Sequence, residues 1–215
     1  NHQPQAKIIC MGTSCSYPAD LPMTEENYLV GLPGKDLYTY AMTKRMLLAG
    51  LMAFEKQYGL KWLYFIPSTL YGPGFKEHDN HFIFDLVRKI YNGKHYGSDV
   101  ELWGDGYQRR ELIYVDDAVD AMLDLLDEEN EIFNLGSSND LPIRHYAQEI
   151  CNSVGYNHNK VAYNTEKYVG VRKRKLEVEK VKHLFLNYCK TSLKDGIKKT
   201  VEFYRDNYGN ENKER

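Results

Sequence analysis

The sequence predicts an α/β fold: the C-terminal part of a doubly wound parallel sheet, with a smaller second α/β domain. Three observations point there. Short β-favouring apolar runs alternate with segments of helical periodicity as far as Leu135, the pattern of parallel strands covered by helices. Glycine or proline closes these segments, at Gly12, Gly59, Pro67 and Gly136, as such residues punctuate strands and helices. No Gly-x-Gly-x-x-Gly turn follows the first strand; Gly104-Asp-Gly106 has Arg109 where a third glycine would stand. The chain therefore reads as the back half of a larger doubly wound protein, its glycine-rich portion absent.

The elements follow in order. Lys7–Met11 (KIICM) reads as a buried strand. Residues 12–35, rich in Ser, Pro, Gly and Thr, read as a long loop, and loops of that length are usually functional. Asp36 is placed to cap a helix that runs to Tyr58 and is stopped by Gly59. Lys61–Ile66 (KWLYFI) is a second buried strand, followed by the turn Tyr71-Gly72-Pro73-Gly74. Residues 81–92 repeat apolar positions at helical spacing. Glu101–Trp103 and Leu112–Val115 are short strands, the latter leading through Asp116-Asp117 into a helix over Ala118–Leu126. Glu131–Leu135 is strand-like, Pro142 opens a helix to Val154, and Val161–Tyr163 is extended. Helices near 177–184 and over Leu193–Asn207 complete the chain, and residues 210–215 form a polar, disordered tail.

Composition narrows the function classes. Among 215 residues, 28 Lys+Arg against 30 Asp+Glu give a net charge of −2, which argues against a dedicated nucleic-acid binder. Hydrophobic residues at 42% and charged residues at 27% describe an ordinary globular chain. No apolar run is long enough for a membrane span and no signal peptide opens the chain, whose first residue is Asn1 rather than Met. Cys10, Cys15, Cys151 and Cys189 show no metal or disulfide spacing, so a reducing, cytoplasmic compartment and no metal site are expected.

The sharpest chemical signal is Tyr40-Ala-Met-Thr-Lys44 within the first long helix. Residues i and i+4 share a helical face, about 5–6 Å apart at Cβ. An ammonium beside a phenol favours the phenolate and lowers its pKa from about 10, so such a tyrosine can exchange a proton with a carbonyl oxygen. With 18 tyrosines in the chain, a solvated pair at this spacing is the plain alternative. Its surroundings strengthen the signal. Ahead of it a strand ends in Gly12-Thr13-Ser14-Cys15-Ser16-Tyr17-Pro18, and after it come Pro67-Ser68-Thr69-Leu70-Tyr71-Gly72-Pro73, Trp103-Gly-Asp-Gly106 and Arg110-Glu-Leu-Ile-Tyr-Val-Asp116-Asp117.

This ordered set resembles the extended short-chain dehydrogenase/reductase (NAD-dependent epimerase/dehydratase) family of nucleotide-sugar enzymes, and within it the GDP-L-fucose synthase branch. The resemblance runs from Lys7 to about Tyr204. It implies a Rossmann-like sheet, an NADP (or NAD) cofactor, a GDP-linked 4-keto-6-deoxy sugar as substrate, and a homodimer built on the helix that carries Tyr40. Thr13 then hydrogen-bonds the sugar C4 oxygen, Tyr40 protonates it, and Lys44 holds the nicotinamide ribose. Gly12, Ser14, Pro67, Ser68, Thr69, Leu70 and His81 join Thr13, Tyr40 and Lys44 around the cofactor, with Thr69 standing where family members often have Asn. Cys15 is the base that removes protons next to the ketone, and His81 returns a proton on the opposite face. Lys89, Trp103 and Arg110 bind the nucleotide diphosphate and base, Arg through its fork of donors.

Bland readings stand beside these roles. Cys15 alone also reads as a small buried apolar side chain, His81 as a helix-start residue, Lys89 as solvated, and Arg110 as the partner of Glu111 or Asp116. Arg172-Lys-Arg-Lys175 reads as a solvated loop or a phosphate contact. Val169 replaces an Asp expected to touch the nucleotide, which leaves open another nucleotide sugar such as a GDP-heptose. A catalytically silent fragment or binding module is the alternative from a different class. The expected organisation is a dinucleotide-binding remainder over 1–74, a substrate-binding segment over 75–111, a return to the sheet over 112–140, and a mainly substrate-binding domain over 141–209.

Overall fold

The computed structural model describes residues 6–167, 170–185 and 187–209. In chain order its elements are β1 (Lys7–Met11), α1 (Tyr38–Tyr58), β2 (Lys61–Pro67), β3 (Thr69–Tyr71), α2 (Phe82–Tyr96), β4 (Glu101–Trp103), β5 (Arg109–Tyr114), α3 (Val115–Asp124), β6 (Glu131–Leu135), β7 (Asp140–Pro142), α4 (Ile143–Val154), β8 (Ala162–Asn164), β9 (Lys173–Arg174), α5 (Glu179–Leu184) and α6 (Leu193–Tyr208). The chain divides into two compact units. One comprises Asn1–Ser68, Asp117–Asn139 and Lys175–Cys189; the other comprises Thr69–Asp116, Asp140–Arg174 and Lys190–Arg215. The Val169 position and residues 210–215 lie outside the described residues.

In the first unit β1, β2 and β6 form a parallel sheet in that order. The parallel connection β1–α1–β2 needs a long crossover, which α1 provides. Strand β2 has a neighbour on each side, and Trp62 to Ile66 are all buried, as an unbroken apolar run in a central parallel strand demands. The Phe65 ring stacks on Phe133 of β6 at 6.2 Å. Gly59 ends α1 with φ +67° and donates its N–H to the Glu55 carbonyl at 2.8 Å, the left-handed stop expected there.

The buried strand expected at Lys7–Met11 is corrected. Among the described residues β1 has one strand neighbour, β2, and Ile9 is 46% exposed, because four apolar residues in a row cannot distinguish a covered strand from an edge. α1 is not buried all round within its own unit. It covers one stripe through Ala41, Arg45, Leu48 and Leu51, while Met46 (66%) and Phe54 (55%) lie open. The helix begins at Tyr38, entered through a one-turn helix over Lys35–Leu37, so Leu37 rather than Asp36 holds the cap position. The long loop carries two further one-turn helices, Ser14–Ser16 and Glu25–Asn27.

In the second unit β3 pairs parallel with β5, β5 pairs antiparallel with β7 and parallel with β9, and β4 pairs parallel with β8. Its core joins α2, α4 and α6 through Ile83, Val87, Ile90, Tyr146, Ile150, Ile197, Val201 and Tyr204. These fall at the i, i+3/i+4, i+7 spacing that aligns one face of a helix. β5 starts earlier than expected, at Arg109, and α3 takes Val115, Asp116 and Asp117 into its first turn. Two carboxylates there suit the positive end of a helix. Ser192 caps α6 by accepting the Asp195 N–H at 3.1 Å. Among the described residues no helix is long and apolar enough to cross a membrane.

Candidate active site

The first unit assembles its polar groups where β1 gives way to the loop. Gly12 donates its N–H to the Phe65 carbonyl at 2.7 Å, holding the exit from β1 against β2. Thr13 follows in extended backbone (φ −152°, ψ 141°) and caps the one-turn helix Ser14–Ser16, its Oγ1 accepting the Cys15 N–H at 3.3 Å. The Ser16 hydroxyl donates to the Ala41 carbonyl of α1 at 3.0 Å, next to Tyr40. From the same helix Lys44 reaches back, its Nζ donating to the Met11 carbonyl at 2.9 Å. The loop that carries Thr13 and Cys15 is therefore fastened at two points to the turn of helix that carries Tyr40 and Lys44. Thr13 is nearly buried, whereas Tyr40 is 48% exposed, open for a phenol to meet a ligand.

Residues that the sequence reading passed over hold this loop. Arg45 is buried, yet donates only to carbonyls: Nε and Nη2 to Ser16 at 2.9 and 2.6 Å, Nη2 to Val30 at 3.1 Å, Nη1 to Gly31 at 2.6 Å. Burial draws its pKa below the ordinary arginine value. Asn134 in β6 is fully buried. Its Oδ1 accepts from the Tyr17 hydroxyl at 2.7 Å, its Nδ2 donates to the Met23 and Glu177 carbonyls at 2.7 and 2.8 Å, and its N–H donates to Glu25 Oε1 at 2.8 Å. The signal was present in both cases. An Arg occupies the apolar stripe Ala41–Leu48, and an Asn interrupts the apolar run Glu131–Leu135.

The segment Pro67 to Leu70 leaves the first sheet at the end of β2. Ser68 donates its N–H to the Leu135 carbonyl at 2.7 Å, while its buried hydroxyl has no hydrogen-bond partner among the described residues. Thr69 and Leu70 continue as β3 of the second unit, opposite Leu112 and Ile113.

The second unit holds the other candidate residues. His81 is the cap residue of α2. Asp79 Oδ1 lies 2.6 Å from His81 Nδ1 and accepts the His81 N–H at 2.9 Å. Partial burial pushes the Asp79 carboxyl up, and these two bonds outweigh it, leaving the group below the ordinary range. Lys89, Trp103 and Arg110 come together in one groove with Asp85, Leu102 and Gln108. Lys89 pairs with Asp85 at 2.9 Å, Trp103 is 55% exposed with Lys167 Nζ over its ring at 6.0 Å, and Arg110 donates from Nη1 to the Arg109 carbonyl at 2.8 Å. Arg172 is an ion-pair residue, its Nη1 2.9 Å from Asp105 in the Gly104–Gly106 turn. That bond holds the Asp105 carboxyl below its usual range.

The family model described as "NAD dependent epimerase/dehydratase family" matches residues 1–136. The chain belongs to the NAD dependent epimerase/dehydratase family. It is 31% identical over 208 residues to a GDP-L-fucose synthase of Sinorhizobium fredii, covering 94% of this chain and 66% of that protein. It is also 31% identical to a GDP-L-colitose synthase of Yersinia pseudotuberculosis, covering 95% of this chain and 69% of that one. Among solved structures, a GDP-L-fucose synthetase from Naegleria fowleri bound to NADP superposes with a TM-score of 0.87 at 26% identity, over 95% of this chain and 67% of that chain. The chain thus spans about two thirds of the length of these relatives. Membership in the epimerase/dehydratase family accounts for the parallel βαβ arrangement of the first unit, the parallel sheet that the strand and helix alternation predicted and the Rossmann-like architecture that the resemblance implied.

Proposed function

We propose that this chain is the catalytic part of an NADP-dependent epimerase/reductase acting on a GDP-linked 4-keto-6-deoxy sugar. The observation that carries the reading is the fastening of the Thr13–Ser16 loop to the Tyr40–Lys44 turn, by Lys44 to Met11 and Ser16 to Ala41. In it the Thr13 hydroxyl hydrogen-bonds the C4 oxygen, and Tyr40 delivers the proton that turns a developing alkoxide into an alcohol. Lys44, held by the Met11 carbonyl, keeps N–H donors for the nicotinamide ribose. Cys15 removes a proton from the carbon next to the ketone, and His81, oriented by Asp79, gives one back. The residues fit a nicotinamide cofactor: the unpartnered Ser68 hydroxyl, Lys44 and the Gly12–Ser14 backbone are groups that would hold it. When bound, that group supplies hydride to C4. Lys89, Trp103 and Arg110 supply charge and a stacking face for a nucleoside diphosphate.

The test uses the full-length protein with NADPH and GDP-4-keto-6-deoxymannose. Cys15→Ser is expected to lose solvent-deuterium incorporation next to the ketone by about 10²-fold or more while keeping part of the cofactor oxidation. Full epimerisation by this variant would remove Cys15 from the mechanism. Failure of the parent protein to turn over the sugar at all would overturn the reading.

A homodimer is part of the same proposal. Met46, Leu47, Phe54 and Tyr58 are apolar side chains left exposed on α1, with the Phe54 and Tyr58 rings 5.4 Å apart. A two-fold partner would cover them with its own copy. Met46→Glu with Phe54→Glu is expected to convert the protein to monomer in sedimentation equilibrium; a monomeric parent would refute the dimer.

A further inference from the structure

One line of hydrogen bonds joins the two catalytic segments of the first unit and has no part in the chemistry above. The Thr13 N–H lies 3.3 Å from the Tyr28 hydroxyl. The Tyr28 and Tyr64 hydroxyls are 3.0 Å apart. The Tyr64 hydroxyl donates to the Lys44 carbonyl at 2.7 Å. Both phenols are fully buried.

The direction of this line is determined by counting protons. A phenol has one to give. Tyr64 gives its proton to the Lys44 carbonyl, which has none, so the contact between the phenols is donated by Tyr28. The Tyr28 oxygen is then the acceptor for the Thr13 N–H. The line runs one way: Thr13 amide to Tyr28, Tyr28 to Tyr64, Tyr64 to Lys44. Bonds aligned head to tail polarise one another and strengthen.

The rings fix the geometry of the hydroxyls. Tyr28 meets Tyr64 edge-on at 5.5 Å and Tyr17 edge-on at 5.2 Å, and Tyr17 is itself bonded to Asn134. Gly12 rests directly on the pair: a Cβ there would run into the Tyr64 ring and come within 3.0 Å of the Tyr28 hydroxyl. The backbone entering Thr13 thus sits on two phenols whose far end is the Lys44 carbonyl.

We infer that Tyr28 and Tyr64 are positioning residues that set the height of the Thr13 hydroxyl relative to the Tyr40–Lys44 turn. The inference rests on the proposed role of Thr13 at the ketone. Neither phenol touches a reacting atom in this account; both act through Thr13. Misplacement of a catalytic group by an ångström is enough to cost orders of magnitude in rate. Without the line, a buried Thr13 N–H would also lack its partner.

Tyr28→Phe and Tyr64→Phe keep the rings and remove only the hydroxyls. In the full-length protein each is expected to lower kcat for ketone reduction about tenfold, with KM within about twofold. In a Thr13→Ala background the same changes are expected to alter kcat by less than about twofold, because residues in one network are not additive. The Thr13 amide is expected to exchange with solvent about tenfold faster in both variants, while amides in the middle of α1 keep their protection. Parental kcat in Tyr28→Phe, or an equal loss with and without the Thr13 hydroxyl, would overturn the inference. An inactive parent would overturn the functional reading instead, and an unchanged Thr13 amide in Tyr28→Phe would still refute the brace by itself.

Discussion

Tyr40→Phe in the full-length protein is expected to reduce ketone reduction by about 10²–10⁴-fold. Substrate affinity is expected to stay within about threefold of the parent. The change deletes one oxygen. Tyr40 is half exposed on α1, so neither packing nor a buried hydrogen bond is lost, and Phe and Tyr have similar helix propensities. Lys44 stays where the Met11 carbonyl holds it, and the Ser16 bond to Ala41 keeps the loop in place. What disappears is the proposed acid for the conversion of ketone to alcohol. Steady-state kinetics of NADPH oxidation measures the effect, with thermal unfolding as the control for structure. A variant that retains more than a fifth of parental kcat would show that the proton comes from elsewhere.

Asn134→Leu is expected to be the most destabilising substitution in the first unit. Leucine fills much of the same volume but accepts and donates nothing. The Tyr17 hydroxyl and the Met23 and Glu177 carbonyls then lose their partner in a buried setting. At about 1–3 kcal/mol for each stranded group, and with relaxation recovering part of it, the loss is about 3–5 kcal/mol. For a chain of this size that is a fall in Tm of roughly 10 °C. The effect reaches the site, because Tyr17 and Met23 belong to the loop that begins at Gly12. A Tm within about 3 °C of the parent would show that water or a shifted loop satisfies the three groups.

The longer elements were legible in the sequence. The short strands β3, β7 and β9 were not, Lys173–Arg174 reading as a solvated loop or a phosphate contact, because two or three residues carry no periodicity and are held only by pairing with β5. β1, β2 and β6 sit where KIICM, KWLYFI and EIFNL placed them, and α1 stops at Gly59. Errors at boundaries came from weak local signals, as where α3 absorbs Val115 to Asp117 or where a one-turn helix over Lys35–Leu37 precedes α1. That Tyr40 and Lys44 lie one turn apart on α1 was legible because a helix sets that spacing within five residues. The exposure of Ile9 in β1 and of Met46 and Phe54 in α1 was not, since apolar character states a preference and not whether a neighbour is present to satisfy it.

The sequence by itself determined the alternation of strand and helix, the turns that end them, and the residue types available for proton transfer. These depend on backbone geometry over a few residues, where the period of a helix or a strand decides what shares a face. Only the tertiary structure decided that Arg45 would clasp Ser16, Val30 and Gly31, that Asn134 would join groups 43 to 117 residues away, and that Tyr28 and Tyr64 would stand between Thr13 and Lys44. A buried polar group must find a partner, but nothing local says which one. That choice is made when distant segments close on each other and bring donors to acceptors that no local rule could name.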